Sequence, residues 1–143
     1  LISPSGYFGR QYGSEHHLRW TNQTVAHNTI LVDGRGQAPF SHEATGCVLY
    51  AKEENGTLTG AVDPSGAYEW VENWTRSFEL TENELIVRDH IELDAPRTVT
   101  WMLHTLSQPQ ADAGSVTVRR NGWQLDILPE EALLLWLVDC LQH

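Results

Sequence analysis

Three of the chain's seven histidines, His16, His17 and His27, fall within twelve residues and stand near Tyr7, Tyr12 and Trp20. Imidazole and phenol groups exchange protons and ligate metals, so this segment is the first candidate for a site. A structural reading competes with it, in which His27 is a buried histidine bonded to backbone and His16 and His17 are ordinary surface residues. The spacing is not that of a compact zinc motif, since no HExxH pattern occurs and His42-Glu43 lacks the second histidine that a metalloprotease helix needs. Gly34-Arg35-Gly36-Gln37 lacks the third glycine of a dinucleotide loop, and Pro4-Ser5-Gly6 lacks the leading glycine of a nucleophile elbow. Asp63, Glu69 and Glu72 form no recognisable acid pair and read as a solvated face. Trp20, Trp70 and Trp74 are open to two readings, a platform for sugar rings or core packing.

The elements that must position these groups are bounded by composition. A chain of 143 residues and 16.2 kDa fits one domain, and 41% hydrophobic with 20% charged residues suits a packed globule. Nine Lys and Arg against nineteen Asp and Glu leave a formal charge of -10, which argues against a nucleic-acid-binding surface. The longest apolar run, Ala132 to Val138, has seven residues where a membrane-spanning helix needs about twenty, so no membrane partner is expected. The sequence opens on Leu1 with no leader pattern, and a fragment of a longer protein is the expectation. Cys47 and Cys140 are too few for a disulfide scaffold and are read as two unpaired thiols.

From about residue 29 onward the chain reads as short strands. Val99, Trp101 and Leu103 alternate with Thr98, Thr100 and Met102 at the period of a strand with one buried face. Similar segments run over 29–33, 47–52, 58–62, 74–80, 84–93, 116–119 and 123–128. Asn55-Gly56 and Asn121-Gly122 signal hairpins whose two central residues take positive φ, and Asp33-Gly34 and Asp112-Ala113-Gly114 add turns. Strands and turns at this spacing predict an all-β domain, an antiparallel β-sandwich with Trp70, Trp74, Trp101 and Trp123 as core candidates. Residues 1–28 show little apolar alternation and are expected to form a long loop, a common seat of function. Residues 129–143 begin with proline, two acids and strong helix formers, a pattern that predicts a short carboxyl-terminal helix. The division is therefore a single domain over 1–143, with a loop-rich segment 1–28, strands over 29–128 and a tail over 129–143.

One longer pattern joins these pieces. Ile2-Ser3-Pro4-Ser5-Gly6-Tyr7, Tyr12-Gly13-Ser14-Glu15-His16-His17, Trp20-Thr21 and the run from Thr24 through Ala26-His27-Asn28-Thr29, Asp33-Gly34 and Gln37 resemble the heparinase II/III-like family. Ala67-Tyr68, Arg76, Asp89 and Trp101-Met102-Leu103-His104 follow in the order of that family's carboxyl-terminal region. The resemblance covers about residues 1–105. It implies a β-sandwich that follows a helical toroid in a polysaccharide lyase, bacterial and periplasmic or secreted, acting on uronic-acid polymers such as heparin, heparan sulfate or alginate. It also implies β-elimination, in which a base takes the C5 proton of the uronate and an acid protonates the leaving oxygen while the substrate carboxylate is neutralised. On that reading Tyr7, Tyr12, His16, His17 and Trp20 line one wall of the substrate cleft, the partners are an acidic polysaccharide and the toroid, and the chain alone is inactive. The resemblance places His27 at a zinc-ligand position, with Ser3 or Pro4 where relatives carry an aspartate. A noncatalytic carbohydrate-binding or structural sandwich is the alternative, for which a tryptophan platform would be diagnostic.

Overall fold

The computed structural model of the chain describes residues 2–3 and 12–129. Its secondary structure is predominantly antiparallel strand, as the alternation and the turns predict. Strands β1 (Ile30–Val32), β2 (Cys47–Glu54), β3 (Thr57–Asp63), β4 (Val71–Leu80), β5 (Leu85–Leu93), β6 (Val99–Trp101), β7 (Gln110–Asp112), β8 (Ser115–Arg120) and β9 (Trp123–Ile127) form three sheets. Their orders are β2-β3-β4-β5, β1-β6 and β7-β8-β9, and the described strand pairs are antiparallel. The β7 strand gave no sequence signal, being three exposed residues held by the turn at Gly114.

The expected turns set the registers. Asn55 and Gly56 have φ of 52° and 79°, and Asn121 and Gly122 have 51° and 82°. Both residues are thus left-handed, as the tight hairpins β2-β3 and β8-β9 require. Asp33-Gly34 turns the same way and closes on the paired Val32 and Arg35.

On β4 the residues Trp74, Arg76, Phe78 and Leu80 alternate with Thr75, Ser77 and Glu79. They face Ile91, Asp89, Val87 and Leu85 of β5 directly, so this face of the β4-β5 pair is apolar except for a single charge pair. The short β1-β6 sheet packs over part of that face. Ile30 and Val32 join Tyr68, Val71 and Trp74 in a buried cluster, with Trp70, Ile91 and Leu93 at its margin. Tyr68 closes this core through its hydroxyl, which donates to the Ile30 carbonyl at 3.1 Å and lies 3.0 Å from Thr29 Oγ1. Burial pushes the Tyr68 phenol above its ordinary pKa.

Two tryptophan assignments need correction. Trp74 is fully buried and Trp70 packs at the core margin, but Trp101 is 41% exposed and Trp123 is 74% exposed. Strand alternation selects a face; it does not say whether another layer covers it. The loop expected over 1–28 contains a five-residue π-helical turn at His17–Thr21 and a 3-10 turn at Thr24–Ala26. The helix expected over 129–143 and Cys140 fall outside the described residues, apart from Pro129, while Cys47 is exposed and free.

Candidate functional site

Among the described residues, the most densely bonded polar group lies where β4 and β5 meet the β1-β6 sheet. Arg76 and Asp89 stand opposite each other on β4 and β5. The guanidinium grips the carboxylate with two bonds, Nε to Oδ1 at 2.7 Å and Nη2 to Oδ2 at 3.0 Å. Trp74 Nε1 donates to Oδ1 at 2.6 Å and Trp101 Nε1 to Oδ2 at 2.7 Å. The guanidinium carbon lies 5.0 Å from the Trp74 ring and 5.2 Å from the Trp101 ring, close enough for cation-π attraction. With side-chain exposures of 19% and 9%, the pair's cost of leaving water is offset by these four bonds and two rings. Trp101 is thus placed as a hydrogen-bonding lid on Asp89.

The histidine-bearing segment is tied to this centre through backbone. Arg76 Nη1 donates to the Asn28 carbonyl at 3.3 Å, and Asn28 Oδ1 accepts the His104 N–H at 2.7 Å. His104 Nε2 donates to the Val25 carbonyl at 2.8 Å, and the Trp20 ring meets His104 edge-on at 6.3 Å. Asn28, Thr29, Tyr68, Arg76, Asp89, Trp101 and His104 therefore form a connected frame.

The candidate wall residues separate by burial. His17 is buried, its Nδ1 accepting the Gly13 N–H at 2.9 Å, which places its proton on Nε2. Tyr12 is 86% exposed with its ring 4.9 Å from that of His17. His16 and Trp20 are half-buried. The structure thus brings Tyr12 and His17 together and sets Trp20 beside His104, while Tyr7 lies outside the described residues. A three-tryptophan platform is not formed, because Trp74 is buried. The Trp70 ring lies under the guanidinium groups of Arg97 at 4.3 Å and Arg35 at 5.1 Å.

His27 is exposed, and its Nε2 donates to the Thr21 carbonyl at 3.0 Å. That bond leaves Nδ1 as its lone-pair nitrogen. Among the described residues no group of three or more His, Cys, Asp or Glu side chains converges to hold a metal ion. The described residues do not fit a closed zinc site, which takes four protein ligands.

His27 instead borders a cleft of about 250 Å³ lined by Asn22, Thr24, Gln37, Phe40 and Ser41 among others. Gly36 explains how its walls approach so closely. A Cβ at Gly36 would overlap the Thr24 side chain, and the next residue, Gln37, donates its N–H to Thr24 Oγ1 at 2.8 Å. The cleft was missed from sequence because its walls come from two loops, although Pro39-Phe40 beside a glycine turn was a faint signal.

The class the geometry defines is an antiparallel β-sandwich domain whose sheets are joined by an Arg-Asp pair under two indoles, beside a loop carrying Tyr12, His16, His17 and His27. The chain matches the heparinase II/III-like, C-terminal family over residues 1–143, and it belongs to that family. No curated protein matched it significantly.

Proposed function

We propose that the chain is part of a polysaccharide lyase that cleaves uronic-acid-containing polysaccharides by β-elimination, and that it forms one wall of the substrate cleft. The observation that carries this reading is the family match along the whole chain. The exposed Tyr12 phenol beside His17 and the Trp20-His104 pair support it, since phenol and imidazole suit proton transfer and positioning at a uronate. The rigid frame around Asp89 holds that segment against the sandwich, which is what orientation of a long polymer demands. The ligand is an acidic polysaccharide and the setting periplasmic or secreted; no helix among the described residues is long and apolar enough to cross a membrane.

The test is titration of the chain with defined heparan sulfate and alginate oligosaccharides, followed by backbone amide NMR. Shifts centred on Tyr12, His17 and Trp20, weakened several-fold in Tyr12→Ala and Trp20→Ala, are expected. Saturating oligosaccharide without a shift in that segment would overturn the cleft-wall assignment.

A further inference from the structure

The cleft beside His27 has a chemistry distinct from that of an acid-binding surface. It is walled by the turns around 22–27 and the loop 37–44, and its polar lining is amide, hydroxyl and imidazole: Asn22, Gln37, Thr24, Ser41 and His27. Among the described residues no Lys or Arg lines it. A carboxylate or sulfate entering it would leave water without gaining a cation. Among the described lining residues a metal ion would find one ordinary ligand, His27. A wholly apolar guest would strip the amides and hydroxyls of water without replacing their bonds. The guest that fits carries several hydroxyls and one C–H face, and no charge.

Phe40 supplies the surface for that C–H face. It sits on the cleft rim, 66% exposed, at φ +58°. A bulky residue in the left-handed region is strained, and glycine or asparagine would hold this turn at lower cost. Burial does not explain a phenyl ring there, because most of it is in solvent. Strain retained at an exposed aromatic is the pattern of a residue kept for contact. Near 30 Å³ per liquid water, the volume holds about eight waters, space for one sugar ring in place of solvent.

We infer that this cleft is a subsite for an uncharged pyranose unit, with Phe40 stacking on the ring and Asn22, Gln37 and His27 bonding its hydroxyls. The inference rests on the carbohydrate reading above and deepens it, because it assigns the neutral sugars of a mixed polymer to a place apart from the Tyr12-His17-Trp20 wall.

The experiment titrates the whole chain with methyl glucopyranoside, N-acetylglucosamine and glucuronic acid in turn, reading amide shifts and ring-proton saturation transfer. The two neutral sugars are expected to perturb His27, Gln37 and Phe40, with glucuronic acid at least several-fold weaker. Phe40→Ala should weaken neutral-sugar binding about tenfold and Phe40→Tyr should preserve it. Phe40→Gly should bind as weakly as Phe40→Ala while its Tm equals or exceeds that of the parent, a combination that a purely structural phenyl would not give. Glucuronic acid binding there as well as or better than the neutral sugars, no perturbation by any sugar at millimolar concentration, or unchanged affinity in Phe40→Ala would each overturn the subsite. Failure of the oligosaccharide test at Tyr12 and Trp20 with neutral sugars still bound at Phe40 would instead count against the lyase wall and leave the subsite standing.

Discussion

Asp89 accepts from Trp74, Trp101 and twice from Arg76, so its carboxylate is the residue on which the junction of two sheets depends. Asp89→Ala strands a largely buried guanidinium and two indole N–H groups. We expect a loss of about 3–5 kcal/mol of stability, the range for breaking a buried pair from one side, measured by urea unfolding. A loss under about 1 kcal/mol would mean that water reaches Arg76 freely. This pair was readable in part. Arg76 and Asp89 occupy the apolar phase of two strands joined by a short turn, and opposite charges there must face each other once the hairpin register is set. The two tryptophan N–H bonds were not readable, because Trp101 arrives from another sheet.

Between elements, Arg97 clamps the β5-β6 connection to the turn after β1. Its Nη1 donates to Asp33 at 3.0 Å, its Nε and Nη2 to Asp94 at 2.7 and 2.9 Å, and Asp33 also accepts the Thr98 N–H at 3.0 Å. The Thr98 N–H first, then Arg97, holds the Asp33 carboxyl below its ordinary 3.8, and Arg97 does the same for Asp94. Carboxyls whose folded pKa is depressed add stability that is present above the unfolded value and is lost as pH falls through the folded one. Melting temperature should therefore hold steady above about pH 4 and decline below it. Asp33→Asn should lower the plateau and flatten that acid limb, and an acid limb identical to that of the parent would remove the clamp from the account. These groups are exposed, so the effect is expected to be small and to shrink with added salt.

At the scale of the molecule, the described strands fall into two groups: β1-β6, which shares a buried cluster with β4 of the four-stranded sheet, and β7-β8-β9, whose strand-to-strand backbone contacts among the described residues are with one another while Val116 and Val118 of β8 are buried. Arg120 Nη1 bonding the Leu106 carbonyl ties the second group to the connection that leads into it. Native-state hydrogen exchange should then show β8 and β9 opening as their own unit, at lower free energy than the amides of β4 and β5. Equal protection in the two groups would show one cooperative structure instead. The sequence by itself determined the strand phases, the Asn-Gly and Asp-Gly turns, the family motif and the exclusion of a nucleic-acid-like charge balance, because each is a local or additive property of the chain. Which faces are covered, where Trp101 and Trp123 end, how His17 and His27 divide their ring nitrogens and that loops 22–27 and 37–44 enclose a cleft were decided only in the tertiary structure. Those outcomes depend on which distant segment arrives opposite a given residue, and side-chain period along one strand carries no record of that.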